Sequence, residues 1–149
     1  MDRIVDMFIG EYNHSLDEKG RISVPARFRS ALKEGAVVTR GLDKCLFLYA
    51  KAEWEKMAER VAGLPLSQAN SRAFARSMLA GAMDATPDNQ GRIMVPEYLR
   101  TFAGLKKNAI IAGVGGRLEI WDRDEWESYN RSTERALGDI AEHLGEMGV

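Results

Sequence analysis

An internal repeat constrains this chain more than any other feature of its sequence. The stretch DEKGRISVPARFR at 17–29 returns 71 positions later as DNQGRIMVPEYLR at 88–100. Seven of the thirteen positions are identical, pairing Asp17 with Asp88, Gly20 with Gly91, Arg21 with Arg92, Ile22 with Ile93, Val24 with Val95, Pro25 with Pro96 and Arg29 with Arg100. Four of these seven pairs are Asp, Gly or Arg, which burial in a hydrophobic core does not explain.

The similarity extends over most of the chain, so each copy is a supersecondary unit. MFIG at 7–10 aligns with MLAG at 78–81, and CLFLYAKAEW at 45–54 aligns with RLEIWDRDEW at 117–126 after one inserted residue. In a chain of 149 residues, neither copy is long enough to bury a comfortable core by itself. The repeat therefore predicts an α+β fold in which two copies interleave their strands as a pseudo-dimer around one shared β core.

Within one copy, alternating apolar positions and turn residues predict a fixed order of elements. The first copy is predicted to form a strand at 8–13, a turn around DEKG, a strand at 22–24, a short helix beginning at Pro25, two more strands and a helix at 51–62. The predicted core face of the short helix carries Phe28, Ala31 and Leu32.

The second copy is predicted to repeat this order, beginning with a strand near Met78. A break at 63–65 and a helix at 67–77 separate the two copies. We therefore predict a first module at 1–62, a helical connector at 63–77 and a second module at 78–149.

The chain is predicted to end in a long helix that is apolar along one face. Asp122 is its predicted N-cap, with Glu125 three residues later in the manner of a capping box. The side chains that recur every three or four residues are Trp126, Tyr129, Thr133, Leu137, Ile140 and Leu144. This face packs either on its own chain or against a neighbouring subunit, and the sequence leaves both alternatives open.

Composition excludes several classes of protein. A content of 45% hydrophobic and 29% charged residues is typical of a globular chain. No apolar run approaches the ~20 residues of a membrane span, and the first residues lack the apolar region of a secretion signal. The single cysteine, Cys45, cannot form an internal disulfide and lies in the apolar stretch CLFLYA. We therefore predict that Cys45 is a core residue of a cytoplasmic protein.

The net charge of −1 conceals an uneven distribution along the chain. Residues 19–44 carry seven cations and two anions, whereas residues 119–149 carry nine anions and three cations. Such asymmetry is typical of a protein that presents one face to a polyanion. Chance clustering of charges on solvated surfaces gives the same pattern.

The repeated turns carry the side chains that are best suited to bind a polyanion. The first turn presents Lys19 and Arg21, and the second presents Gln90 and Arg92 at the equivalent positions. An arginine fork binds phosphates and also the edge of guanine in the major groove. The alternative is that each arginine only pairs with the aspartate four residues earlier to hold the turn.

Six further matched residues are predicted to support the two turns: Asp17, Gly20, Arg29, Asp88, Gly91 and Arg100. The glycines suit positive φ angles and let a ligand approach the backbone. Arg29 and Arg100, on the helix after each proline, are expected to lock the loop against the strands.

Together, MFIGEYNHSLDEKGRISVPARFR, DNQGRIMVPEYLR and GLDKCLFLY resemble the MraZ family of bacterial transcriptional regulators, over essentially the whole chain. The resemblance implies two swapped-hairpin modules of the kind shared with the AbrB and SpoVT regulators. It implies sequence-specific binding of double-stranded promoter DNA through Asp-x-x-x-Arg motifs, here Asp17 with Arg21 and Asp88 with Arg92. The implied role is mainly repression, at the nucleoid, of the division and cell-wall gene cluster that contains its own gene. The implied DNA-binding form is a ring of subunits on short direct repeats.

The second turn departs from the first in having Gln90 where the first has Lys19, which leaves the second turn less basic.

Other functions find little support in the sequence. GVGG at 113–116 is followed by a predicted strand, whereas a phosphate-binding loop of the dinucleotide type precedes a helix. His14 and His143 have no partner at metal-ligand spacing.

The sequence thus predicts a protein that is not an enzyme and has no metal, cofactor, small-molecule substrate or membrane partner. RNA is a weaker candidate than DNA because no aromatic platform of the RNA-recognition type is visible. The main alternative is an assembly protein whose basic turns bind an acidic protein.

Overall fold

The computed structural model describes residues 7–148 of the chain. Its elements, in chain order, are β1 Phe8–Ser15, β2 Arg21–Ser23, α1 Ala26–Leu32, β3 Ala36–Arg40, β4 Leu46–Ala50, α2 Lys51–Ala62, α3 Ala69–Ala75 with a π-helical continuation Arg76–Ala80, β5 Met83–Asp84, β6 Arg92–Met94, α4 Glu97–Ala103, β7 Asn108–Gly115, β8 Leu118–Asp122 and α5 Arg123–Glu146. Helix α2 has the predicted bounds.

The strands of the two copies are interleaved in one antiparallel sheet. The six-stranded sheet has the order β1-β7-β8-β4-β3-β5, and a second sheet pairs β2 with β6. The first strand of each copy therefore pairs with a strand of the other copy, β1 with β7 and β5 with β3. The order is symmetric about the β8–β4 pair, as expected for a pseudo-dimer of swapped hairpins. The predicted α+β fold with interleaved copies is confirmed.

Two hydrophobic clusters form on opposite faces of the large sheet because successive side chains of a strand alternate between its faces. On β4, Leu46 and Leu48 belong to one cluster and Phe47 and Tyr49 to the other. The first cluster is covered by β2, β6, α1 and α4, and the second by α2, the π-helical segment and α5. Cys45 is fully buried in the second cluster, as predicted. The two-stranded ribbon of β2 and β6, which carries the repeated turns, thus lies on one face of the six-stranded sheet.

The start of the second copy differs from its prediction as a strand. Met78 lies in the π-helical segment, and the strand that follows, β5, has only two residues. The physical reason is that RSMLA consists mostly of good helix formers, whereas FIGEY favours a strand. Burial of Met78 in the second cluster and a 2.6 Å hydrogen bond from Thr39 Oγ1 to its carbonyl oxygen stabilise the helical alternative.

Helix α1 also buries less than its pattern predicts. Phe28 and Leu32 are buried, whereas Ala31 is exposed. A helix of seven residues presents only a narrow face to the core. Phe28 and Leu32, four residues apart, lie on that face, whereas Ala31 lies beside it.

Helix α5 is capped as predicted but is packed on its own chain only near its start. The Asp122 carboxylate accepts a hydrogen bond of 3.3 Å from the backbone N–H of Glu125. Trp126 packs on the second cluster, whereas Leu137, Ile140 and Leu144 are 58%, 39% and 39% exposed. Of the two alternatives for this face, packing of its whole length on its own chain is therefore wrong. Across the part of the chain described, no helix is both long and apolar enough to span a bilayer.

Candidate nucleic-acid interface

The two repeated turns, turn 1 at 17–21 and turn 2 at 88–92, share one hydrogen-bond pattern. In turn 1, Asp17 Oδ1 accepts bonds of 2.9 Å from the backbone N–H groups of Lys19 and Arg21, and Oδ2 accepts one of 2.7 Å from Arg21 Nε. In turn 2 the same three bonds from Gln90 and Arg92 measure 2.9, 3.0 and 3.1 Å. The aspartate therefore holds both the backbone of the turn and the guanidinium of its arginine.

The glycines of both turns have the positive φ angles that the sequence predicts, 81° at Gly20 and 77° at Gly91. Each turn is closed by two further backbone bonds, which in turn 1 run from Asp17 N–H to the Arg21 carbonyl at 2.9 Å and from Gly20 N–H to the Asp17 carbonyl at 3.0 Å. A residue with a Cβ adopts this conformation only at a cost, so glycine is the residue that the turn requires.

The turn carboxylates are ionised at neutral pH. Hydrogen bonds from backbone N–H groups, above all that of Arg21, lower the pKa of Asp17, and those of Arg92 and Gln90 act in the same direction on the pKa of Asp88. Because the folded pKa is lowered, the stabilisation that this bonding gives is present at neutral pH and is lost as pH falls through that lowered value.

The short β2–β6 ribbon places the two turn arginines on one face. Its register pairs Arg21 with Met94, Ile22 with Ile93, and Ser23 with Arg92. Ile22 and Ile93 are each 1% exposed and face the sheet, so the alternate side chains, those of Arg21 and Arg92 among them, face outward. Arg21 and Arg92 are diagonal neighbours across this antiparallel pair, and the Cα atoms of such neighbours lie about 7–8 Å apart. A two-stranded ribbon of this kind fits the major groove of DNA.

Each turn is held by the other copy of the repeat. The Val24 N–H donates to the Gly91 carbonyl at 2.8 Å, and the Val95 N–H donates to the Gly20 carbonyl at 2.9 Å. These reciprocal bonds link the end of each ribbon strand to the turn of its partner, so neither turn has its observed surroundings without both copies.

Arg29 and Arg100 also act across the copies, which the sequence analysis missed. A methyl group on Gly91 would lie 2.6 Å from Arg29 Cζ, and one on Gly20 would lie 2.8 Å from Arg100 Cζ. Each arginine thus covers the glycine of the opposite turn rather than that of its own, and Arg29 Nε also donates to the Val24 carbonyl at 3.0 Å. The identical spacing in both copies was the available signal, but it does not say which turn each arginine reaches.

The pairing of each turn arginine with its aspartate leaves part of the guanidinium without a hydrogen bond in the described residues. The ion pair to the aspartate exists, and an exposed pair of this kind contributes little to stability. It uses Nε of Arg21 and Arg92, while within residues 7–148 their Nη groups make no hydrogen bond. Each of these side chains is 29% exposed, and Lys19 and Gln90 are exposed. The arrangement can therefore present the outer edge of a guanidinium, already oriented, to a phosphate or a guanine.

The geometry supports neither a metal site nor a phosphate contact by His14. No group of three metal-ligating side chains occurs in the region from residue 7 to residue 148. His14, on β1, is half-buried, and burial together with the charge of Arg29 lowers its pKa. At neutral pH this imidazole is uncharged, so it is a weak partner for phosphate.

Comparison with known proteins supports the resemblance seen in the sequence. A family model described as "MraZ protein, putative antitoxin-like" matches the chain twice, at residues 7–77 and 78–144. Proteins named "Transcriptional regulator MraZ" from Alkaliphilus metalliredigens, Caldanaerobacter subterraneus subsp. tengcongensis and Alkaliphilus oremlandii are 46%, 45% and 47% identical to it over 143 residues. Each of these alignments covers 96% of this chain and 100% of the relative.

Proposed function

This chain belongs to the MraZ family, and we propose that it is a transcriptional regulator that binds specific sequences in double-stranded DNA. The observation that carries the proposal is the outward face of the β2–β6 ribbon, where two identically built Asp-x-x-x-Arg turns each hold an arginine for contact. The relatives are named as regulators, in agreement with the prediction that the chain is not an enzyme.

In this proposal the turn residues divide the work of binding. Arg21 and Arg92 bind guanine edges or phosphates through their Nη groups, and Lys19 and Gln90 contact the backbone beside them. Asp17 and Asp88, with Gly20 and Gly91, shape the turns, and Arg29 and Arg100 hold them in place. Lys19 offers a phosphate a full positive charge that Gln90 lacks, although Glu18 stands where turn 2 has Asn89 and the net charges of the two turns are equal.

The proposed target is the promoter of the division and cell-wall gene cluster that contains the chain's own gene, where the protein acts mainly as a repressor. It works in the cytoplasm at the nucleoid, without a cofactor. These points rest on family membership.

The proposed DNA-binding form is a ring in which neighbouring subunits meet successive short direct repeats. One good bidentate contact discriminates between bases by only ~1–3 kcal/mol. Linking several such contacts raises overall affinity by ~10²–10⁴. A protein of net charge −1 needs this gain in affinity to bind DNA through a small basic surface. The exposed apolar stripe of α5, formed by Leu137, Ile140 and Leu144, is the proposed contact between subunits.

Replacing Leu137 with aspartate tests this contact. We expect the assembly to dissociate, because burying a carboxylate within an apolar contact without a partner is costly. The fold should persist, since Leu137 is 58% exposed in one subunit. Light scattering gives the particle mass and circular dichroism the fold. Ser128→Asp, on the opposite face of α5, is the matched control. If Leu137→Asp leaves the mass unchanged, α5 is not the contact.

A gel shift with the chain's own upstream DNA tests the proposed function itself. We expect a shift that scrambled DNA does not compete, and a steep linear fall of log affinity with log salt because bound cations release counterions from DNA. An assembly protein that binds an acidic partner would treat both DNA probes alike. A flat salt titration would contradict electrostatic binding to the backbone.

A further inference from the structure

A groove of about 550 Å³ lies beside turn 1 and is lined by residues of both copies. The first copy contributes the start of the turn, including Asp17 and Glu18. The second contributes three cations, Arg100 in the middle of α4 and Lys106 and Lys107 in the loop before β7. Since Asp17 is already bonded within its turn and Arg100 covers Gly20, the two lysines are the cations that the groove offers to a ligand.

The loop that carries the lysines is fixed to the turn. The N–H of Leu16, the residue before turn 1, donates to the Lys107 carbonyl at 2.8 Å. Both lysine side chains are exposed, and neither ammonium forms an ion pair with any residue from 7 to 148. The cations therefore sit next to turn 1 on backbone that is held in place, and no described carboxylate neutralises them by direct contact.

The equivalent position beside turn 2 is different, although the pseudo-symmetry of the fold repeats its backbone. There the Ala85 N–H donates to the Ala36 carbonyl at 2.8 Å, so the loop before β3 takes the place of the loop before β7. That loop reads Lys33-Glu34-Gly35, with one cation and one anion in place of two adjacent cations. Positive charge is thus concentrated beside the turn that already carries Lys19.

We propose that Lys106 and Lys107 bind backbone phosphates of the DNA strand that flanks the bases contacted by turn 1. This inference rests on the proposed function, and it makes the interface asymmetric. In this arrangement turn 1 reads bases and has phosphate contacts of two kinds, from Lys19 within the turn and from a lysine pair of the other copy beside it. Turn 2 has the uncharged Gln90 in place of Lys19, and its neighbouring loop has Lys33 beside Glu34 in place of a lysine pair. Phosphate contacts fix register and add affinity without reading sequence.

The test is the double variant Lys106→Gln/Lys107→Gln, measured by salt titration on operator and on scrambled DNA. Each lost phosphate contact should make the slope of log affinity against log salt shallower by about 0.9, so we expect a change of about 1–2 for each engaged subunit. Affinity should fall by a similar factor on both DNAs, because phosphates carry no sequence information. Lys56→Gln/Arg60→Gln, the same loss of two positive charges on α2 across the sheet, should leave the slope as it is.

Arg21→Ala, measured beside the double variant, separates this inference from the function beneath it. If Arg21→Ala loses operator binding while the lysine variant keeps the wild-type slope, the lysine pair does not bind phosphate and only this inference fails. If the wild-type chain does not distinguish operator from scrambled DNA, the proposed function fails as well. A lysine variant that weakens operator binding alone would also overturn the inference, because it would place the lysines at bases.

Discussion

Arg21→Ala is expected to weaken operator binding by at least about 100-fold, because every engaged subunit loses a contact of ~1–3 kcal/mol. The assembly should keep its size. The Nη groups of Arg21 are the part of the side chain that turn 1 offers to DNA, whereas its Nε is bonded to Asp17. Fluorescence anisotropy with labelled operator measures the affinity, and light scattering measures the particle.

The turn should survive this substitution. Asp17 keeps its 2.9 Å bonds to the backbone N–H groups at positions 19 and 21, which do not depend on the arginine side chain. The ribbon also keeps Ile22 in the core. Loss of the assembly, or affinity equal to that of the wild type, would contradict the role assigned to Arg21.

Three further variants separate the causes of the loss. Arg21→Lys keeps the charge and removes the fork, so partial recovery would indicate a phosphate contact and no recovery a guanine contact. Arg92→Ala removes the equivalent arginine of turn 2, and we expect a smaller loss because its neighbour is Gln90. Arg135→Ala, on the exposed surface of α5, is the control for loss of a positive charge.

The second large effect is expected on stability, from Gly20→Ala. Alanine at this position would adopt a φ of 81°, and its methyl group would lie 2.9 Å from the Val95 carbonyl oxygen and 2.8 Å from Arg100 Cζ. Conformational strain of ~1–2 kcal/mol and overpacking of ~1–3 kcal/mol then act together. At ~2–4 °C for each kcal/mol, this combined cost of about 2–5 kcal/mol should lower the midpoint of thermal unfolding by about 4–20 °C.

Gly115→Ala is the matched control for Gly20→Ala. Gly115 has a φ of 91°, and an added methyl group would meet no atom within 4 Å in the described structure. This variant should show the conformational strain alone. The difference between the two melting temperatures then reports the loss of stability that comes from the steric clash with Val95 and Arg100 of the second copy. Equal melting temperatures would mean that Val95 and Arg100 move away from the added methyl group without a loss of stability.

The repeat carries most of the information about the fold, and the cross-copy contacts show its limit. A chain with two copies too short to fold alone predicts interleaved strands, and the register of Ile22 with Ile93 agrees. That Arg29 reaches Gly91 was not predictable, because a matched residue in each copy is equally compatible with contacts inside a copy and between copies.

Local propensity and tertiary packing account for the remaining differences. Met78 aligns with Met7, which directly precedes strand β1, but it belongs to a helix because its sequence neighbours favour helix and its side chain is buried in the second cluster. The face of α5 shows the opposite case, since the sequence predicts its apolar pattern but periodicity does not say what covers it. Lys106 and Lys107 gave no signal in the repeat, because they lie in a loop where the copies differ. The module boundaries and the residues that touch DNA stay predictions.

The pairing of β1 with β7 has a consequence for synthesis on the ribosome. Phe8 is paired with Gly115, so the first strand to emerge has no partner until more than two thirds of the chain has been translated. At ~5–20 residues per second, that wait lasts about 5–20 s. During it β1 is an unpaired edge, open to the same strand of another nascent chain. We therefore expect pairing between nascent chains on one polysome to be a route to misassembly of this protein.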